Sequence, residues 1–331
     1  MSKIRLLLIS LLLVVGMGSV VHAQGLGPDM YGLPSEFGMG IPVSARELGM
    51  GTPITCIPDV PFANAGFAAV LTQPDAEARY TTTTFDHGPH LVSLETSYFQ
   101  PIRPGHDGAQ LTIMDLSGAA GETNLGAPVT ARMSERGWVV DYGHRFGRKF
   151  TAGLSILGAD LVGMSFDTQQ GPLMDLRSTS DWGGRYGMTY EWVPGDYLGL
   201  IYSFSQDHVP ATGMAVGGAV SPTFHNGQFG IGASRHLTPK LLAAVEYQRG
   251  TTWGSGVDDK ADVWHYGAEY QLGSGWALRA GAADHSPTFG LGYAQSRWRF
   301  DYAYISDWND SDVSPLFGSS RTHSLNAIYE W

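Results

Sequence analysis

From about residue 137 to the end of the chain, apolar and polar side chains alternate with a period of two, the signature of half-buried β-strands. In the segment 261–272, Trp264, Tyr266, Ala268, Tyr270 and Leu272 share one face, and His265, Gly267, Glu269 and Gln271 the other. Segment 297–305 sets Trp298, Phe300, Tyr302 and Tyr304 against Arg299, Asp301 and Ala303. Segment 184–193 sets Tyr186, Met188, Tyr190 and Trp192 against Arg185, Thr189 and Glu191. The same alternation runs through 137–145, with Asp141 and Arg145 on the polar face, and through 239–248, with Glu246 on the polar face.

The runs span about 9–12 residues, the length a tilted membrane-crossing strand needs, whereas soluble strands average about 5–6. Trp138, Trp192, Trp264, Trp276 and Trp298 lie near strand ends, as an interfacial girdle requires. Short links such as Phe146-Gly147-Arg148, Pro194-Gly195 and Gly273-Ser274 alternate with long ones at roughly 159–181, 207–224, 250–261 and 307–320. Short turns on one side and long loops on the other are the outer-membrane pattern. Counting back from the C-terminus gives eleven strands after residue 137, and weaker runs at 76–84, 90–99 and 109–116 bring the total to 14. The predicted fold is therefore all-β, an antiparallel transmembrane β-barrel of about 14 strands.

The two ends sharpen this picture. Lys3 and Arg5 precede an apolar run, and Val21-His22-Ala23 fits a cleavage site, so residues 1–23 read as a secretory signal peptide and export to a Gram-negative-type outer membrane. At the other end Leu325, Ala327, Tyr329 and Trp331 alternate with Ser324, Asn326, Ile328 and Glu330, and Trp331 is the last residue. Leu325, Tyr329 and Trp331 resemble the signal read by the outer-membrane barrel assembly machinery. Residues 24–75 do not alternate and are rich in Gly, Pro and Met. They read as a hatch or plug segment ahead of a barrel at 76–331.

Composition narrows the function classes. Removal of the two cations Lys3 and Arg5 takes the formal net charge from −11 to −13, which argues against a nucleic-acid partner. Cys56 is the only cysteine, so neither a disulfide framework nor a thiolate metal cluster is available. Asp307 to Asp312 is dense in hard oxygen ligands but lacks the Gly and distal Glu of an EF-hand loop, and reads as a solvated acidic loop. His285-Ser286 and His323-Ser324 are neighbours on strands, so each pair points to opposite faces and forms no dyad. No catalytic residue, metal site or cofactor is expected, and the chain does not read as an enzyme.

Within the non-alternating segment, Ala45-Arg46-Glu47-Leu48-Gly49-Met50-Gly51, then Asp59, then Asn64-Ala65-Gly66-Phe67-Ala68, resembles the opening signature of FadL-like outer-membrane barrels. That superfamily includes the fatty-acid and aromatic-hydrocarbon channels and the PorV/PorQ proteins of type IX secretion. The signature's Pro after Asn is missing here. Gly290-Leu291-Gly292-Tyr293 and Phe300-Asp301-Tyr302-Ala303-Tyr304 resemble the family's closing hairpin.

The resemblance implies a barrel whose N-terminal segment occludes the lumen, with Arg46, Glu47, Leu48, Met50, Asn64 and Phe67 as ligand or hatch residues. It implies passive uptake of hydrophobic small molecules, long-chain fatty acids or aromatic hydrocarbons, which lipopolysaccharide excludes, with exit in some members sideways through the wall. The alternative it leaves open is a PorV/PorQ-like role in protein secretion or surface attachment. The partners expected are the bilayer with its lipopolysaccharide, the assembly machinery and a hydrophobic ligand. The inward set Asp141, Arg145, Arg185, Glu191, Glu246, His265, Glu269, Arg279, Arg299 and Asp301 would either line a solute path or form a mixed-charge network that fills the barrel and holds the hatch. Phe37, Met39, Ile41, Leu48, Met50 and Phe67 would either touch a greasy ligand or pack against the wall.

Overall fold

A computed structural model of the chain describes residues 44–59, 63–87, 90–119, 121–122, 130–168, 171–178, 181–208, 211–212, 223–254, 257–307 and 318–331. The signal peptide, Phe37, Met39, Ile41 and most of the acidic 307–312 stretch lie outside the described residues. Fourteen antiparallel strands form the wall. They are β1 (Asp75–Phe85), β2 (His90–Arg103), β3 (Asp107–Ala119), β4 (Thr130–Phe146) and β5 (Phe150–Thr168). Then come β6 (Asp181–Val193), β7 (Asp196–His208), β8 (Thr223–Thr238), β9 (Leu241–Gly254) and β10 (Val257–Gly273). The last are β11 (Trp276–Ala283), β12 (Ser286–Gln295), β13 (Trp298–Ser306) and β14 (Ser320–Glu330). Each pairs with its sequence neighbour, and β14 pairs with β1 from Asp75↔Glu330 to Phe85↔Ser320, which closes the barrel and leaves no unpaired wall edge.

Alternation decides which side chain faces where. In β9, Leu242, Ala244, Glu246 and Gln248 are buried, while Val245 and Arg249, of the opposite parity, point out and are exposed. Outward positions around the barrel carry Tyr186, Ile231, Tyr266, Leu278, Phe289 and Leu325, all more than a third exposed. Two aromatic belts bound this apolar face. Trp276–Tyr293, Trp298–Tyr329 and Tyr98–Trp331 ring pairs sit at the short-turn end, and Trp182–Phe204 and Tyr247–Trp264 at the other. The external face thus meets a hydrocarbon layer between two interfaces, the anatomy of a membrane barrel. No described helix is long and apolar enough to cross a membrane.

Two expectations need correction. The three N-terminal strands extend beyond the predicted 76–84, 90–99 and 109–116, with β2 reaching 14 residues and β3 reaching 13. The stretches 159–181 and 250–261, expected to be long loops, are largely paired. β5 runs to Thr168 and Gly171–Ser178 returns beside it, while β9 and β10 pair as far as Gly254↔Val257. Beyond the membrane a ladder is held by its backbone hydrogen bonds and needs no apolar face, so the alternation that reveals a strand fades before the strand ends.

Candidate functional site

Residues 44–59 and 63–71 do not join the sheet. They lie against inward-facing wall residues, and from Ser44 to Ala69 nearly every described side chain is buried. The segment opens with a short helix, α1 (Ala45–Gly49), started by a capping box. The Glu47 backbone N–H donates to the Ser44 hydroxyl and the Ser44 N–H donates to the Glu47 carboxylate, each at 3.0 Å. Gly51, at φ +80°, reverses the chain where an added Cβ would stand 2.5 Å from the carbonyl oxygens of Ala282 and Tyr266. Thr52 follows in the same left-handed region, at φ 61°, and is held by His265, whose Nδ1 lies 2.7 Å from the Thr52 hydroxyl and 2.9 Å from the Gly51 carbonyl.

Charges fix this first limb to β10–β13. Arg46 grips Glu269 with two bonds, Nε at 2.8 Å and Nη2 at 2.9 Å. Arg279 Nε donates to the same carboxylate at 2.6 Å and its Nη1 stands 2.7 Å from Asp301, which Arg299 also reaches at 3.0 Å. Asp59 completes the ring: it accepts from the Ser44 hydroxyl and from Arg299, with Arg46 at 3.6 Å. Three guanidinium groups thus face three carboxylates, so the buried network is charge-balanced. Burial opposes ionisation of Asp59, but Arg299 and Arg46 outweigh it and hold the carboxyl below its ordinary range. Glu47 makes no ion pair among the described residues. Burial pushes it well above the ordinary carboxyl range and the Asp59 charge pushes it further.

The segment then crosses to β7–β9. The Thr55 N–H and hydroxyl both donate to Glu246, at 2.7 and 2.6 Å, and the Ser234 hydroxyl donates to the Cys56 carbonyl at 2.8 Å. Asn64 ties the halves together: its side-chain N–H groups reach the Thr55 carbonyl at 2.9 Å and the Met188 carbonyl at 3.3 Å. Its Oδ1 accepts from Gly66 and caps the 3₁₀ turn Ala65–Ala69.

The second limb is seated by absence of side chains. Gly143 and Gly153 would each place a Cβ within 2.4 Å of Ala65 backbone atoms, Gly108 within 2.1 Å of the Ala68 carbonyl, and Gly187 within 2.2 Å of Asn64. The same holds further round, at Gly199 against Thr55 (1.7 Å) and at Gly267 against Met50 (1.9 Å). A shelf of inward-facing glycines on successive strands lets one backbone lie flat on another.

Of the residues singled out from sequence, the structure brings Arg46, Glu269, Arg279, Arg299 and Asp301 into one network, with Glu47 beside it. Glu246 and His265 each hold the inner segment directly. Asp141 lies on the opposite wall, accepting from Ser155 at 2.5 Å, with Arg185 buried nearby. Arg145 and Glu191 face each other at 3.8 Å near the turns. Leu48, Met50 and Phe67 have almost no exposed surface: Leu48 packs with Ala303 and Ile305, Met50 with Cys56 and Leu242, and Phe67 edge-on against Tyr197. Sequence reasoning missed Asp59 as the hub of the network, Thr55 as the partner of Glu246, and the glycine shelf. The shelf had a signal in the strand parity, since these glycines fall on the polar, inward positions.

No protein-family model matches the chain, and no curated protein matches it in sequence. Solved structures do. The toluene transporter TbuX of Ralstonia pickettii is 14% identical, with 87% of this chain and 98% of that one aligned at a TM-score of 0.64. A Pseudomonas aeruginosa FadL homologue is 12% identical, with 88% and 99% aligned at 0.60. The toluene transporter TodX of Pseudomonas putida is 14% identical, with 94% and 98% aligned at 0.58. The chain thus has the fourteen-stranded fold of the FadL-like outer-membrane barrels.

Proposed function

We propose that this protein is an outer-membrane channel for passive uptake of hydrophobic small molecules, with residues 24–75 as its hatch. The observation that carries the reading is the inner segment itself, a folded piece of chain laid across the lumen by Arg46, Asp59, Thr55 and Asn64 in a barrel with the fold of toluene transporters. An open aqueous pore has no use for such a barrier, and a solute that partitions poorly into water needs a shielded path. Long-chain fatty acids and monoaromatic hydrocarbons are the substrate classes the fold neighbours suggest. The outward Leu325 and Tyr329 and the terminal Trp331 stacked on Tyr98 support insertion by the barrel assembly machinery, beneath a lipopolysaccharide leaflet, after cleavage of the signal peptide. No observation on the inner segment or the wall favours the protein-export alternative.

The test is uptake of labelled oleate and labelled toluene by cells that display the barrel, against cells that do not. Faster entry of either supports the channel. Equal entry of both, with a secreted protein held at the purified barrel, would replace it with the export role.

A further inference from the structure

On β7–β9, just above the point where Thr55 meets Glu246, the lumen wall carries amides where a channel for bare hydrocarbon would carry aliphatic groups. Gln248 Nε2 donates to Glu246 Oε1 at 2.5 Å, Gln228 Nε2 donates to Gln248 Oε1 at 2.8 Å, and the Ser203 hydroxyl donates to Gln228 Oε1 at 3.3 Å. An amide has two N–H donors, and each Gln uses one in this ladder among the described residues. One donor on each remains.

Beside the ladder there is room. Gly250 is the inward residue paired with Gln228, and an added Cβ there would meet nothing within 4 Å among the described residues. Among the described residues, Gly147 and Gly273 share that freedom, and both sit at exposed turns. Apolar groups frame the gap: Ile201 and the Thr55 methyl lie against Gly230 below it, Val263 pairs with Gln248 to one side, and Phe224 stands nearer the loop end.

We propose that Gln228, Gln248 and Gly250 form a binding niche for a neutral, oxygen-bearing small molecule such as a phenol, an alcohol or a ketone. Its oxygen takes the outstanding amide N–H groups and its hydrocarbon body lies against Ile201, Val263 and Phe224. A bare hydrocarbon seated there would strip water from amide donors and return no hydrogen bond. A carboxylate is disfavoured because its charge would leave water for neutral amide donors with no cation among them. The inference rests on the uptake reading and narrows its substrate class.

The test is calorimetric titration of the full-length barrel in mild detergent with toluene, p-cresol and p-toluate, which share one carbon skeleton. The affinity ratio of p-cresol to toluene is expected to fall about fivefold in Gln228→Leu and again in Gln248→Leu, one neutral hydrogen bond each. In the wild type, p-toluate is expected to bind weakest of the three. Gly250→Leu, which fills the gap without touching an amide, is expected to abolish binding of both neutral compounds while heat-modifiable migration in gels shows a folded barrel. An unchanged ratio in both glutamine variants, or tight p-toluate binding, overturns the niche and leaves the uptake reading standing. No binding of any compound to the wild type overturns both.

Discussion

Both limbs of the inner segment lie over inward-facing glycines, but only the first is also held by charges. Residues 44–59 rest on β10–β13 through charged side chains, in which Glu269 alone serves Arg46 and Arg279. Residues 63–71, which carry no ionisable side chain, rest on β3–β6 through close backbone approach over Gly108, Gly143, Gly153 and Gly187. A charge network is specific in geometry but costly to half-dismantle, because removing one partner strands the others in a buried place. A glycine shelf tolerates changes in charge but not a single added methyl. The first limb is thus the one that pH can loosen, and the second the one that sterics govern.

The largest effect expected in breaking this contrast is Glu269→Gln. It strips the shared anion from two buried guanidinium groups and should weaken docking of the first limb by about 3–5 kcal/mol. Trypsin cleavage at Arg46 in a barrel that still migrates as folded would report it, and unchanged protection would show that the charges are not what holds the limb. Next is Gly153→Val, whose Cβ would stand 2.3 Å from the Ala65 carbonyl carbon. The cost should be about 1–3 kcal/mol in the second limb alone, read as new chymotryptic cleavage at Phe67. The two variants together should add, because the sites share no partner.

The smallest effect sharpens the comparison through pH. Glu47 is raised above its ordinary value of 4.5 by burial and by Asp59. Below pH 4.5 it is protonated whether docked or released, and docking carries no penalty from it. As pH rises toward the docked value, the released form loses its proton first, so the docked limb loses stability. Protection of Arg46 should therefore weaken as pH rises above 4.5 in the wild type and stay level in Glu47→Gln. Asp59, held low by Arg299 and Arg46, acts in the opposite sense and contributes stability that is lost only as pH falls through its docked value. A wild-type profile flat across neutral pH would remove Glu47 from the account.

Much of the wall could be read from the chain because the membrane enforces it. Trp264, Tyr266 and Tyr270 must face lipid and His265 and Glu269 must not, so the period of two survives in β10 and is equally plain in β13 and β14. It was less plain in β1, where the run Thr81 to Thr84 places threonine on both faces. It also misled at 250–261, where pairing outlasts the apolar face.

The candidate site was legible only in part. Arg46 and its barrel partners were recognisable as charges needing neutralisation. That Asp59 would be the carboxylate joining Arg46 to Arg299 depends on the segment doubling back, which no local pattern records.

The sequence by itself determined the strand count and, in the C-terminal strands, the side that meets lipid, since each follows from a local period and a hydrophobic solvent. Only the tertiary structure decided which inward residues stand at one height. The register of fourteen strands brings Gly153, Gly187, Gly199 and Gly267 onto one shelf and sets open Gly250 beside Gln228. Height in a closed barrel is a sum over all its pairings, and no single strand carries it.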